Sequence, residues 1–187
     1  YYTGCVERAK GQADECVVRK LELVMQQAGV TPDICPAVAA SLEKAEATGK
    51  PAGAMVLPDG SVVTGRTSPL LGASAALLLN ALKHMAGIDH KLDLIPPSVI
   101  EPISAMKTGC LGHRNPRLHS DEVLIALAIS GLTNPLAAMV QAQLKNLRGC
   151  EAHFSVIISE EDAKLYKRLG INVSCEAKYE VKSLYHK

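Results

Sequence analysis

The chain of 187 residues has no tryptophan, one phenylalanine and five tyrosines, so it lacks the aromatic platforms on which single-strand nucleic-acid binders stack bases. No sign of charge dominates either. Twenty basic residues face nineteen acidic ones, for a net charge of +1, and no overall field draws the chain to nucleic acid or to a membrane surface. The six cysteines (Cys5, Cys16, Cys35, Cys110, Cys150 and Cys175) are scattered, with no C-x-x-C pair of the kind that holds zinc. They read as small thiols in a reducing compartment rather than as a disulfide framework. The longest apolar stretch, Leu70 to Leu82, is interrupted by Gly72, Ser74 and Asn80, and falls short of the roughly 18 residues of a membrane span. There is no charged-then-apolar leader, no internal repeat, no low-complexity tract and no G-x-S-x-G elbow. These absences argue against a nucleic-acid partner, a membrane protein and a secreted framework, and point to a cytoplasmic globular protein.

What is present is an ordered series of periodic segments. Val6, Ala9, Ala13, Val17, Leu21, Val24 and Ala28 recur at spacings of three and four, which predicts one amphipathic helix over Cys5 to Ala28, ended by Gly29. Cys35-Pro36 opens a second helix that Gly49 stops at Thr48. Gly49-Lys50-Pro51 then separates a helical segment, 1–50, from the remainder, 51–187. Residues 54–57 and 61–64 flank Pro58-Asp59-Gly60 and predict a β-hairpin. A helix follows from Ser68-Pro69 to Gly87, and Leu92 to Ile95 reads as a third strand. Helices are predicted over Val99 to Met106, with Pro102 as a kink, over Asp121 to Ser130 behind a Ser120 cap, and from Asn134-Pro135 to Arg148. Phe154 to Ile158 reads as a strand, Ser159-x-x-Asp162 caps a helix over Glu160 to Leu169, and Ile171 to Cys175 closes as a strand. Alternating strands and helices after residue 53 predict an α/β sandwich with a mixed sheet.

One stretch concentrates chemistry. Residues 112–122, Gly-His-Arg-Asn-Pro-Arg-Leu-His-Ser-Asp-Glu, place two arginines, two histidines and two carboxylates ahead of the apolar run Val123 to Ile129. Arg114, Asn115, Arg117 and Ser120 beside free helix amides make a candidate site for phosphate or carboxylate, because guanidinium forks and the positive end of a helix both favour anions. Arg66 and Ser68, just after the hairpin, could join it. In the structural alternative the arginines pair with Asp121, Glu122 or Glu101 and lock the loop. His119 and Glu122 form a candidate acid–base pair. His113, Glu151 and His153 are secondary candidates. No third ligand at a fixed spacing completes a metal site, and nothing in the sequence names a cofactor.

The blocks Lys20-Leu21-Glu22-Leu23 with Gly29-Val30-Thr31-Pro32, Leu57-Pro58-Asp59-Gly60 with Val63-Thr64-Gly65-Arg66, Ile100-Glu101-Pro102-Ile103, residues 111–120, Gly149-Cys150-Glu151-Ala152-His153 and Leu169-Gly170-Ile171-Asn172-Val173 closely resemble the C-terminal part of uncharacterised protein family 0371, a bacterial group. The resemblance implies a longer protein. Its N-terminal portion carries a Gly- and Lys-containing segment similar to a phosphate-binding loop, which has no counterpart here. It also implies a cytidine-deaminase-like α-β-α sandwich without the zinc motif: where deaminases carry H-x-E and P-C-x-x-C, this chain has Gly72-Ala73-Ser74-Ala75 and Pro96-Pro97-Ser98-Val99. The resulting expectation is an α/β module that binds a small anionic molecule and docks to its own N-terminal domain or another subunit. The alternative is part of an enzyme acting on a nucleotide or phosphorylated metabolite. A third, structural reading makes helices 70–82 and 123–129 core and subunit contact, as in a homo-oligomer.

Overall fold

A computed structural model describes residues 1–180. Its elements in chain order are α1 (Tyr2–Ala9), α2 (Glu15–Ala28), α3 (Pro36–Thr48), β1 (Ala52–Val56), β2 (Val62–Arg66), α4 (Ala73–Met85), α5 (Pro97–Gly109), α6 (Ser120–Ser130), α7 (Pro135–Gln141), a 3₁₀ turn (Ala142–Leu147), β3 (Glu151–Phe154), α8 (Glu160–Arg168) and β4 (Asn172–Cys175). The four strands form one mixed sheet in the order β2-β1-β3-β4. β1 runs antiparallel to both neighbours, and β3 and β4 are parallel.

Helices cover both faces, giving the α-β-α sandwich. On one face lies α3, whose buried Ala37, Val38 and Ser41 meet a surface kept low by Ala52 and Ala54, both fully buried. The Tyr2 ring of α1 stacks on His153 of the same face, with centroids 4.5 Å apart. On the other face α4 crosses β1 and β2, and a cross-strand pair of glycines admits it. Gly53 lies opposite Gly65. A Cβ on Gly65 would sit 2.3 Å from the Leu77 backbone nitrogen, and one on Gly53 would sit 2.4 Å from the Phe154 ring. Leu77, Leu78 and Leu82 of α4 are fully buried with Met55, Leu127, Leu147, Phe154, Tyr166 and Ile171. Each such side chain contributes about 1.5–3 kcal/mol by leaving water. No helix among the described residues is long and apolar enough to cross a membrane.

Local signals and tertiary pairing explain where the elements depart from the periodicity. The first predicted helix is two, because Lys10-Gly11-Gln12 offers no apolar anchor and Gly11 takes φ +72°. The helix expected from Ser68 begins at Ala73: Ser68 Oγ accepts from Leu71 N at 3.0 Å, and residues 70–72 pair with Leu118 instead. Residues 92–95 are not a strand. They bury Leu94 and Ile95 in the core, and Lys83 Nζ of α4 donates to the carbonyls of His90 and Leu92 at 3.1 and 2.6 Å. The sandwich and mixed sheet are therefore present with four strands rather than five. Pro102 lies inside α5, and the helix from Pro135 tightens to 3₁₀ after Gln141. The strand read as Phe154 to Ile158 is Glu151–Phe154, in register with β1, and the residues after it leave the sheet. The Cys35-Pro36 start and Gly49 stop of α3 and the Ser159 cap of α8 are where the residues placed them, and the hairpin turns at Pro58-Asp59-Gly60 as expected, with strands Ala52–Val56 and Val62–Arg66 rather than 54–57 and 61–64.

Replacing Gly65 with alanine should destabilise the fold by about 3 kcal/mol or more, because the obstacle is helix backbone rather than a movable side chain. Urea denaturation of Gly65→Ala checks this, and a loss below about 1 kcal/mol would mean that α4 can lift from the sheet at little cost.

Candidate functional site

β2, β3 and β4 all point the same way, and β1 runs against them. A cavity of about 490 Å³ opens where those three strands end and β1 begins. Ligand sites in α/β sheets sit beyond the carboxyl ends of strands. Thr67 lines the cavity after β2, Val156 to Ser159 after β3, Tyr179 and Glu180 beyond β4, and Pro51 before β1. The segments after β3 and β4 stay side by side, with Ile157 N donating to Lys178 O at 2.8 Å. The remaining wall is the loop before α6, from Leu111 to His119.

Three helices begin at this cavity, with N-caps at Gly72 (α4), His119 (α6) and Ser159 (α8). Each brings unsatisfied amides and a partial positive charge. Asp162, in the first turn of α8 and nearly fully buried, gathers them. Its Oδ2 accepts from Ser74 Oγ at 2.7 Å and Ser159 Oγ at 2.9 Å, its Oδ1 accepts from Ser120 N at 2.9 Å, and His119 Nδ1 lies 3.4 Å from Oδ2. Its own amide donates to Ser159 Oγ at 3.1 Å. Burial by itself would push this carboxyl up. The hydrogen bonds from His119, Ser120 and Ser74 outweigh it and hold the group well below the ordinary carboxylate range. The same contact to Asp162 pushes the His119 imidazole up, against the opposing effect of burial. Among the described residues no side chain caps the first turn of α4.

The loop before α6 is fastened from behind. Lys107 of α5, almost fully buried, donates through Nζ to Arg117 O at 2.6 Å and to Glu122 Oε2 at 2.7 Å. Glu122 Oε2 also accepts from His119 N at 2.7 Å. Ser104 Oγ donates to Pro116 O at 2.9 Å, and Asn115 Oδ1 accepts from Arg117 N at 3.1 Å. The helix cap is thus His119, one residue before the serine expected to serve, and Ser120 is the first helical residue.

The structure brings His113, Arg114, Asn115, Arg117 and His119 to the cavity wall. Arg117 Nη1 pairs with Glu180 Oε1 at 3.1 Å. Arg114 is exposed and has no ion pair among the described residues. Ser120 and Glu122 sit behind the wall, and the fully buried Ser120 Oγ has no hydrogen-bond partner among the described residues. Arg66 and Ser68 do not line the cavity. Arg66 Nη1 donates to Thr67 O at 3.4 Å, and Ser68 closes its own turn onto Leu70 and Leu71. Glu151 is exposed at the far end of β3. His153 is buried on the opposite face, 2.8 Å from Ser174 Oγ and 3.3 Å from Glu176 Oε1, and burial pushes its imidazole down. Among the described residues no group of three His, Cys, Asp or Glu side chains is arranged to hold a metal ion. The residues that sequence reading missed are Asp162, read as a cap alone, and Ser74 and Lys107. Their partners lie 88, 42 and 15 residues away in the chain, beyond any local pattern.

Asp162 has a pKa lowered by folding, so its contribution to stability is complete above the ordinary value of 3.8 and disappears as pH falls through the folded value. His119 has the opposite sign: its share is complete below 6.5 and disappears as pH rises through its raised folded value. Asp162→Asn should therefore lower the melting temperature at neutral pH and flatten its fall below about pH 4. Melting curves of both proteins from neutral to strongly acidic pH test this, and parallel curves would exclude Asp162 as the titrating group.

The sequence matches the family described as "Domain of unknown function DUF1846, C-terminal" over residues 33–185. Over its whole length the chain is 47% identical to a UPF0371 protein of Corynebacterium efficiens, 46% to one of Corynebacterium glutamicum and 44% to one of Streptococcus pyogenes. It spans 38% of the length of each of these relatives. With the family match covering most of the chain and the identity to these relatives measured over its whole length, this chain belongs to the UPF0371 family and corresponds to its DUF1846 C-terminal domain.

Proposed function

We propose that this chain is a binding module of a longer protein, holding a small phosphate- or carboxylate-bearing molecule in the cavity at the strand ends and docking to the preceding part of that protein or to another subunit. The observation that carries the reading is the convergence of three helix N-termini on one cavity with Arg114 and Arg117 on its wall. Asp162 already takes the Ser120 amide and the Ser74 and Ser159 hydroxyls. What remains for a guest is the first turn of α4, the Arg114 guanidinium, the part of Arg117 not taken by Glu180, and the outer edge of His119. A guanidinium with no carboxylate on it is free to take an oxyanion in two parallel hydrogen bonds. The apolar residues Val156, Ile157, Ile158 and Leu111 on the same wall suit a guest with a carbon body as well as a charged head. A cytoplasmic setting fits the scattered thiols.

One contact favours a second reading, that of an enzyme acting on a nucleotide or phosphorylated metabolite. His119, oriented through Nδ1 by a buried carboxylate while its side chain lines the cavity, has the arrangement of a general acid or base. In that reading its partner is Asp162 rather than Glu122, whose carboxylate is committed to Lys107.

Titration calorimetry with inorganic phosphate and with a nucleoside monophosphate tests the binding reading. Arg114→Ala should weaken binding at least about tenfold, the loss of roughly 1.4 kcal/mol expected for a charge-assisted pair, with the melting temperature unchanged. A lower melting temperature with unchanged binding would make Arg114 a structural residue. Turnover of a nucleotide by the longer protein, abolished by His119→Asn, would select the enzyme.

A further inference from the structure

Among the described residues, the imidazole of His119 is held by one nitrogen only. Nδ1 lies 3.4 Å from Asp162 Oδ2, which places the donor proton there and leaves Nε2 to the cavity, where the side chain is about a quarter exposed. A neutral ring with its proton on Nδ1 offers a lone pair at Nε2 and repels an oxyanion. The protonated ring offers an N–H at the same place. Asp162 also lines the cavity, with both of its oxygens engaged by Ser74, Ser159 and Ser120, and it stays ionised whether the ring is neutral or protonated, so the difference between the two states is that of the ring. We infer that the anion site, on the binding reading above, is proton-linked: it takes an oxyanion with His119 protonated, and Asp162 is the positioning residue that fixes which nitrogen faces the guest.

The charged and titratable groups around the ring are consistent with one dominant titration. Asp162 faces it from α8. Glu122 of α6 and Lys107 of α5 form a pair of their own at 2.7 Å and offset one another. On the cavity side stand His113, Arg114 and Arg117 from the loop, and Tyr179 and Glu180 from the segment beyond β4, with Arg117 and Glu180 paired. The folded protein raises the affinity of His119 for its proton through Asp162. An oxyanion against Nε2 raises it further, and by linkage each proton bound favours the guest by the same factor. His113 is the other imidazole on the wall. It makes no ion pair among the described residues.

Sulfate is the suitable probe, because it stays a dianion over the whole range in which imidazole titrates, so any pH dependence belongs to the protein. Calorimetric titration with sulfate from about pH 6 to about pH 9 should show affinity falling toward tenfold per pH unit above the His119 pKa, the slope of one linked proton. Titrations in buffers of different ionisation heat should register net proton uptake at neutral pH. His119→Asn should remove the slope and leave the weak binding that the wild type shows at the alkaline end. His113→Asn should keep the slope, and Arg114→Ala should lower affinity at every pH with the slope intact. In the wild type, the ring resonances of His119 should titrate at higher pH with sulfate than without it. Sulfate binding with no pH dependence, or a slope that survives His119→Asn, overturns the inference and leaves the binding reading standing. No sulfate or phosphate binding at any pH overturns that reading, and the inference with it.

Discussion

The carboxylate of Asp162 is the junction on which this end of the molecule depends. Three helices that start at the same place present three sets of amides and three positive poles to one another. Bringing such ends together without an intervening negative charge is unfavourable. Asp162 supplies that charge from within α8, and Ser74, Ser120 and Ser159 connect it to α4, α6 and α8. Its position in the first turn of its own helix is favourable twice over, as a partner to its own dipole and as the acceptor for two others. Tyr166, one turn further along α8 and fully buried, extends the tie by donating to the Ser74 carbonyl at 2.8 Å while its ring meets Phe154 edge-on. Polar junction and apolar core are therefore continuous.

A second fastening acts on the loop rather than on the helices. Lys107 places its ammonium almost out of contact with water, where a charge persists only when paired and hydrogen-bonded. The Glu122 carboxylate and the Arg117 carbonyl meet that requirement. Since Glu122 also holds the His119 amide, the histidine is fixed at its backbone from one side and at its ring from the other. A side chain held in this way loses little further freedom when a guest arrives, which is the basis of preorganised recognition.

Legibility in the sequence followed the range of the interactions. α3 could be read to its ends because Pro36 and Gly49 act within a residue of the boundary they set. The hairpin was legible for the same reason, with Asp59 Oδ1 accepting from Ser61 N at 2.9 Å inside the turn. Residues 92–95 alternate like a strand, yet they join neither edge of the sheet, and Leu94 and Ile95 fill the core without pairing. The apolar repeat from Val6 to Ala28 continues across Gly11, where the backbone turns. At the site, the clustering of His113, Arg114, Asn115, Arg117 and His119 was visible because they share one loop. The long-range pairings were not: Ser74 with Asp162, Leu71 with Leu118, and Glu180 with Arg117. The pairing of Ser74 with Asp162 helps place that carboxylate beside the histidine, and Lys107 holds Glu122 behind the cavity wall.

The two stretches that run side by side after β3 and β4 give the cavity one of its walls. Glu180 holds there by reaching across to Arg117. Any negatively charged visitor to that guanidinium competes with a carboxylate tethered to the same molecule, whose local concentration is far above that of a free solute. On the binding reading, a guest that reaches Arg117 therefore has to displace Glu180.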